Sequence, residues 1–175
     1  EHPWLWLGAG TLLLVVLAWP VTTLRMGFSD EGNYREETTT RRAYDLLAEG
    51  FGPGFNGPFL VTAVVGSPAD RAAVEPLLSA LASTPGVASV GPPFPNNLAN
   101  PAESDAYLIQ VVPTTAPQDE ETSELVQRLR EEVVPGAVAG TSLVVSVTGT
   151  VAANIDFTEY LTGRLFIFFG AVLTL

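Results

Sequence analysis

Two uncharged apolar runs, one at each end of the chain, constrain the fold more than any other feature. No residue from Pro3 to Leu24 or from Leu165 to Leu175 carries a formal charge. All eight basic residues, and all but one of the nineteen acidic residues, lie between Arg25 and Arg164. This distribution predicts a polar, acidic domain of ordinary size held between two membrane-embedded ends.

The first apolar run, residues 3–24, is predicted to be a transmembrane helix. As an α-helix its 22 residues would measure about 33 Å, enough to cross the hydrocarbon core. Trp4, Trp6 and Trp19 lie near its two ends, where tryptophan favours the membrane–water boundary. The alternatives are a cleaved signal peptide and a buried core helix. The run has no positively charged start and no small-residue cleavage site before Pro20, which argues against the signal peptide.

The second apolar run, residues 165–175, is too short to cross a membrane by itself. Because the chain stops within this run and opens on Glu1 without methionine, we expect a truncated second transmembrane helix in a piece of a longer protein. Residues 151–164 form the predicted connection to it, and Arg164 fits an interfacial anchor. Two flanking membrane helices would place residues 25–164 on one side of the membrane, which we expect to be the extracytoplasmic side.

The charge and residue usage of the middle section argue against several classes of function. The formal net charge of −11 disfavours nucleic acid, since phosphate binding needs a basic face. The absence of cysteine excludes a disulfide framework and a thiolate metal site. His2 is the single histidine, and the paired acidic residues lie in predicted loops and solvated faces. We therefore expect no enzyme activity, no metal and no cofactor.

Hydrophobic periodicity in the middle section predicts four strands and two helices. The strands fall within residues 58–65, 87–90, 106–112 and 142–148, and the helices within 67–84 and 118–134. Ser67 is predicted to cap the first of these helices. The order β-α-β-β-α-β is that of a ferredoxin-like split βαβ domain, an α+β fold with both helices on one face of an antiparallel sheet. We assign this domain to residues 58–150.

An amphipathic helix is predicted ahead of the domain, within a linker of residues 25–57. It covers about Thr39 to Glu49, with Ala43, Leu46 and Leu47 facing inward and Gly50 as its stop. Such an apolar face must dock on the domain or on a neighbour.

The stretch between this helix and the first strand is unusually rich in glycine and proline. Five of the seven residues from Gly52 to Pro58 are Gly or Pro. The stretch lacks the Gly-Lys-Ser/Thr of a phosphate-binding loop and follows no strand. It is predicted to be a rigid turn that sets the angle between helix and strand, with positive φ available at the glycines and φ fixed at the prolines. The residues concerned are Gly52, Pro53, Gly54, Gly57 and Pro58.

Three segments of the chain resemble the MMPL family of the resistance–nodulation–division (RND) superfamily of actinobacterial exporters. They are Arg42–Leu47, Gly50–Pro58, and Val147–Thr150 together with Asn154–Asp156. The Gly-Phe-Gly-Pro-Gly-Phe-Asn-Gly-Pro segment is the most specific of them. The form seen here is similar to the second half of such proteins, which contain two internal repeats: the seventh helix, the second porter domain and the start of the eighth helix.

The resemblance implies proton-driven export of lipids or other hydrophobic molecules by a multi-pass protein of the cell membrane. Its partners would be the lipid bilayer, the remaining half of the same transporter and the hydrophobic substrate. The family's intramembrane Asp–Tyr proton relay belongs to helices absent from this sequence, so no relay residue is assigned. Candidates to line the substrate path are Phe51, Phe55 and Phe59, and candidates to couple the domain to the membrane are Asp156, Glu159 and Arg164.

A second class of function stays open at this point. The same pattern fits a membrane-anchored extracytoplasmic domain that has a structural or partner-binding role and no transport activity. An anchored enzyme is the third alternative. More membrane helices with buried carboxylates beyond residue 175 would favour the transporter.

Overall fold

Residues 3–20 and 29–175 are described by the computed structural model of the chain. Their helices and strands are α1 (Pro3–Ala18), α2 (Thr39–Phe51), β1 (Phe59–Val64), α3 (Val74–Ala82), β2 (Val87–Val90), β3 (Phe94–Pro95), β4 (Ala106–Pro113), α4 (Glu120–Arg128), α5 (Val134–Ala137), β5 (Val144–Thr148) and α6 (Thr150–Thr174). Short 3-10 segments occupy Glu31–Asn33, Pro53–Asn56, Pro68–Ala73 and Pro101–Glu103, and a π-helical turn covers Leu129–Val133.

The sheet has the strand order β2–β4–β1–β5, with β1 between two partners. Strand β1 is antiparallel to both β4 and β5, and β2 is antiparallel to β4. It follows that β1 runs parallel to β2 and that β4 runs parallel to β5, with one strand of the other pair between them. This interleaving is the split βαβ arrangement. The predicted ferredoxin-like α+β fold is confirmed.

The core lies between one face of this sheet and the helices. Alternate residues of β1, Phe59, Val61 and Ala63, are fully buried, as the twofold side-chain period of a strand requires. The predicted helical segments contribute four leucines to this core, all of them buried: Leu77, Leu81, Leu125 and Leu129. A buried leucine stabilises a fold by about 1.5–3 kcal/mol relative to an exposed one. This layer therefore holds helices and sheet together.

The start of the first domain helix differs from its prediction. Residues Pro68–Ala73 form 3-10 turns, and the α-helix begins only at Val74. The side chain of Ser67 does not cap the backbone; its Oγ lies 2.5 Å from Asp70 Oδ2. Asp70 also accepts hydrogen bonds from the hydroxyl and backbone N–H of Ser142, and these donors lower its pKa. In place of the predicted cap, the hydrogen bonds between Asp70 and Ser142 join the 3-10 turn to the loop before β5.

A short fifth strand, β3, is missing from the sequence prediction. Phe94 and Pro95 pair with Leu108 and Tyr107 of β4, beside the segment that β2 occupies. Two residues are too few to show a periodicity, and a proline argues against a strand except at an edge. The structure places β3 at the edge of the sheet, where a proline is tolerated.

The second domain helix contains a π-helical turn that the sequence pattern does not predict. The N–H of Val134 donates to the carbonyl of Leu129, five residues back. Pro135 follows immediately, and proline has no N–H and crowds the carbonyl four residues before it in an α-helix. The wider turn ends just before the short helix α5, whose second residue is Pro135, so the proline accounts for the position of the turn.

The C-terminal helix α6 joins two regions that were predicted separately. It begins at Thr150, directly after β5, and continues to Thr174, so the connection at 151–164 and most of the apolar run at 165–175 form one helix. Gly149 precedes it with φ of 113°. Val151 and Ala152 are buried in the core. The core therefore extends beyond the predicted domain boundary at residue 150.

Among the residues that the structure describes, no helix is both long and apolar enough to cross a membrane. Helix α1 covers 16 residues, whereas the predicted first span continues through residues 21–24, which lie outside the described residues, as do residues 25–28 of the predicted linker. The membrane assignments of 3–24 and 165–175 stay predictions.

Replacement of Leu125 by Asp tests the packing of the helices on the sheet. Leu125 is 1% exposed, so the change removes a core side chain and buries a charge, at a cost of about 3–5 kcal/mol. The same replacement at Leu46, which is 67% exposed, should change the stability by less than about 0.5 kcal/mol. Thermal and urea unfolding of a segment comprising residues 25–164 would measure both. Equal stability of the two variants would contradict the assigned core.

Candidate functional site

Helix α2 is fastened to the rest of the structure by polar contacts. None of its residues is buried. Its N-cap Thr38 accepts a hydrogen bond from the N–H of Arg41 at 3.3 Å, and Arg41 donates to the carbonyl of Gly32. The hydroxyl of Tyr44 donates to Asp30 at 3.3 Å. The helix is therefore tied to the segment that leads in from the first apolar run.

Asp30 is the centre of these contacts. One of its carboxylate oxygens accepts from the N–H of Gly32 at 2.8 Å, and Gln118, ahead of α4, donates to the same oxygen. Burial and the neighbouring Asp30 charge raise the pKa of Tyr44 to about 12. Tyr44 is therefore neutral at physiological pH and keeps the proton that it donates. Asp30 thus joins the linker, α2 and the loop before α4.

The apolar side of α2 faces solvent. The prediction that Ala43, Leu46 and Leu47 point inward is wrong, because all three are exposed and the side that carries Arg41 and Tyr44 is the one in contact. Farther along the chain, the rings of Phe51 and Phe55 stack with centroids 4.7 Å apart, and they are 66% and 37% exposed. We call Leu47, Phe51 and Phe55 the apolar strip.

The glycines of the glycine–proline stretch act in two different ways. Helix α2 passes through the predicted stop at Gly50 and ends at Phe51. Its C-cap is Gly52, whose φ of 90° favours glycine. Gly54 and Gly57 do not have positive φ, which corrects the prediction for them. A Cβ on Gly54 would lie 1.8 Å from the carbonyl oxygen of Pro113 in β4, and one on Gly57 would lie 2.5 Å from Pro117. These two positions need glycine because the backbone approaches its neighbours so closely.

The rest of this stretch connects α2 to the sheet. Pro53 opens the 3-10 turn that ends at Asn56, and Pro58 directly precedes β1. The side-chain amide of Asn56 donates to the carbonyl of Tyr44 at 3.1 Å. Phe59, the third aromatic candidate, is fully buried in the core, so it packs inside the domain and has no surface for a substrate. Of the three aromatic candidates, Phe51 and Phe55 present surface to solvent and Phe59 does not.

The three candidates for coupling to the membrane lie on α6, but they do not share one contact. Asp156 forms an ion pair with Arg130 of the π-helical turn, with nitrogen–oxygen distances of 2.5 and 3.0 Å. The charge of Glu159 also acts on Arg130, whose pKa is raised chiefly by its hydrogen bond to Asp156. The guanidinium of Arg164 instead lies 3.5 Å from the ring centroid of Tyr160, a cation–π contact. Asp156 alone is bonded directly to the domain.

The ion pair with Arg130 lowers the pKa of Asp156, chiefly through the hydrogen bond. A carboxyl whose pKa is lower in the folded state stabilises the fold at pH values above its unfolded pKa, near 3.9. That contribution is lost as the pH falls through the lower, folded pKa. The pair is therefore fully formed at physiological pH. Its side chains are partly exposed, so its contribution to stability is about 1 kcal/mol or less.

An open groove of about 1110 Å³ lies between the linker turn, the N-terminal part of α4 and the first turns of α6. Its described lining is polar, with five carboxylates and no basic side chain, so it disfavours anionic ligands. The carboxylates are those of Asp30, Glu31, Glu120, Glu124 and Glu159. Within residues 3–20 and 29–175, no three potential ligands are grouped to hold a metal ion.

The sequence of this chain aligns with membrane proteins over nearly its whole length. It is 37% identical over 160 residues to the membrane protein YdfJ of Bacillus subtilis, covering 90% of the chain and 21% of YdfJ. It is 28% identical over 165 residues to the mycolic acid-containing lipids exporter MmpL11 of Mycolicibacterium smegmatis, covering 91% of the chain and 17% of the exporter. The chain is a homologue of the MmpL proteins. The resemblance to the MMPL family is confirmed.

A third relative is the probable transport protein MmpL11 of Mycobacterium leprae, which is 27% identical over 170 residues, 91% of the chain and 16% of that protein. The chain thus spans about a fifth or less of the length of these three relatives. Their names describe membrane and transport proteins, and none of the three names an enzyme. No protein-family profile matches the chain.

The closeness of Gly54 to Pro113 can be tested with one added methyl group. Gly54→Ala places a Cβ against a backbone oxygen that cannot move aside without shifting β4, so it should destabilise the domain by about 1–3 kcal/mol. Gly50→Ala is the matched control, because a Cβ there meets nothing within 4 Å and alanine favours a helix interior by about 0.5–1 kcal/mol. Unfolding midpoints of the 25–164 segment should therefore shift in opposite directions. A neutral Gly54→Ala would contradict the close approach.

Proposed function

We propose that this chain is part of the second half of a proton-driven RND-type exporter and forms its second porter domain. The alignment of about nine-tenths of the chain with a protein named as a lipid exporter is the observation that carries the proposal. A ferredoxin-like domain between two apolar runs supports it, since that arrangement delivers both ends of the domain to the same membrane. The remaining half of the transporter and the lipid bilayer are the proposed partners.

The proposed substrate is a lipid or another hydrophobic molecule, and the apolar strip is the surface proposed to meet it. Phe51 and Phe55 are stacked and partly exposed, and the rigid turn after Gly52 fixes their position. The stacked rings offer apolar area at little conformational cost. The acidic groove on the same domain suits an acyl chain or a phosphate less well. Phe59, which is buried, is not part of this proposal.

The domain is proposed to lie outside the cytoplasm and to carry no chemistry of its own. In this view the proton-driven step occurs in membrane helices elsewhere in the protein, and this domain provides part of the route that the substrate takes. Its fixed geometry would then matter more than any single polar contact.

Deletion and complementation of the full-length gene in its own organism test the proposal. Cells are fed isotopically labelled acetate, and labelled lipids are compared between the cell surface and the cell interior. Deletion should move at least one lipid class from the surface to the interior, and the wild-type gene should restore it. Phe51→Asp and Phe55→Asp should each reduce the restored export at least about tenfold, since a charge on the path costs well over 1.4 kcal/mol.

Phe94→Asp is the matched control, because Phe94 is an exposed phenylalanine on β3, away from the apolar strip. It should restore export as the wild type does, with all proteins present in the membrane at equal amounts. An unchanged distribution of every lipid class after deletion would contradict lipid export. Normal export by Phe51→Asp and Phe55→Asp would remove the apolar strip from the substrate path.

A further inference from the structure

Helix α6 is a single rigid element that runs from the domain core to the C-terminal apolar run. Its 25 residues give it a length of about 37 Å. Val151 and Ala152 fix its first turn in the core, and Ile155 packs partly against the same cluster. The far end is apolar, and its large side chains from Ile167 to Leu173 are exposed. A small change of direction near residue 155 would therefore produce a large displacement at that end.

Arg130 joins three parts of the domain at this position. Its Nε and Nη2 donate to the carbonyl oxygen of Val147, at the end of β5, at 3.3 and 2.9 Å. Its Nη1 and Nη2 donate to the two carboxylate oxygens of Asp156 at 2.5 and 3.0 Å. One guanidinium thus bridges the π-helical turn, strand β5 and the second turn of α6. Arginine suits this task because its planar fork can bind a carboxylate with two parallel bonds.

The location of Arg130 depends on an unusual backbone feature. It lies in the π-helical turn Leu129–Val133, whose first residue, Leu129, is fully buried in the core. The buried neighbour fixes the turn, so the guanidinium is held from a rigid base. Single π-helical turns within helices are rare and occur often at functional positions.

We infer that Arg130 is a positioning residue that sets the direction in which α6 leaves the domain and so couples the domain to the membrane. The effect on transport rests on the proposed function, whereas the effect on α6 does not. The core fixes α6 at Val151 and Ala152, and the bond to Asp156 fixes it about one turn farther on. Two fixed points define the direction of a helix. Loss of the second point leaves the first turn in place and lets the remainder tilt.

The test measures the orientation of α6 and the transport activity on the same full-length protein. Spin labels are attached to cysteines at Glu132, in the π-helical turn, and Thr162, in the exposed part of α6, in an otherwise cysteine-free protein. Arg130→Met should widen the distribution of distances between the labels and lower export of the labelled lipids at least about twofold. Asp156→Asn, which changes a largely exposed side chain, should act in the same direction. Arg130→Lys keeps the charge but has one donor group, so it should restore the wild-type distribution only in part.

Arg128→Met is the matched control, because Arg128 donates to the carbonyl of Pro85 at 3.0 Å, a contact that does not involve α6. It should leave both the distance distribution and export unchanged. An unaltered distribution in Arg130→Met and Asp156→Asn would overturn the positioning role. A widened distribution with normal export would overturn the coupling while leaving the exporter proposal intact. Absence of lipid export by the wild-type protein would contradict the proposed function, and the distances would still decide the role of Arg130.

Discussion

Strand β1 is hydrogen-bonded along both edges and buried on one face, and the other features of the domain take their positions from it. It pairs with β4 on one side and β5 on the other, so it cannot shift its register without breaking two ladders. The chain enters β1 through the turn at Gly54, which lies against the end of β4. After β5, Gly149 packs its backbone against Pro58 and Leu60 before α6 begins. The two segments that lead toward the predicted membrane runs are thus placed by the same strand.

The acidic character of the chain makes its few arginines informative. The chain has eight arginines and nineteen acidic residues, so a surface carboxylate alone says little about function. Two of the described arginines differ from the others because each binds one backbone carbonyl as well as one carboxylate. Arg41 binds Gly32 and Asp45, and Arg130 binds Val147 and Asp156. Arg41 ties the incoming linker to α2, and Arg130 ties the outgoing helix to β5. Each connection of the domain is therefore held by one guanidinium. Truncation of that arginine would remove its bond to the carbonyl and its bond to the carboxylate together.

The sequence was most informative where a regular period repeats over many residues. The strands and the leucines of the two domain helices follow such periods, and their positions agree with the structure. The face of α2 that contacts the domain could not be deduced in this way. The pattern shows that Leu46 and Leu47 share a face, but it does not show whether that face is covered. The polar contacts of Tyr44 and Arg41 determine which face of α2 is covered. They depend on Asp30 and Gly32, which lie in a separate segment.

Other features depend on contacts that leave no local signal. Gly54 and Gly57 are recognisable as glycines in a turn, but only the fold shows that they avoid Pro113 and Pro117 and do not need positive φ. The pairing of Arg130 with Asp156 joins residues 26 positions apart, and no spacing rule connects them. The π-helical turn before Pro135 likewise looks like an ordinary helix end in the sequence.

The most direct measurement of the central claim, that this domain is the extracytoplasmic part of an exporter, is the side of the membrane on which it lies. Glu103 and Ser104 are adjacent, and the first is exposed whereas the second is fully buried. Single cysteines at these positions in the full-length protein are treated with a membrane-impermeant thiol reagent on intact cells. The account predicts that Cys at Glu103 reacts equally before and after lysis, while Cys at Ser104 reacts only after denaturation. Reaction of the Glu103 cysteine only after lysis would contradict the claim.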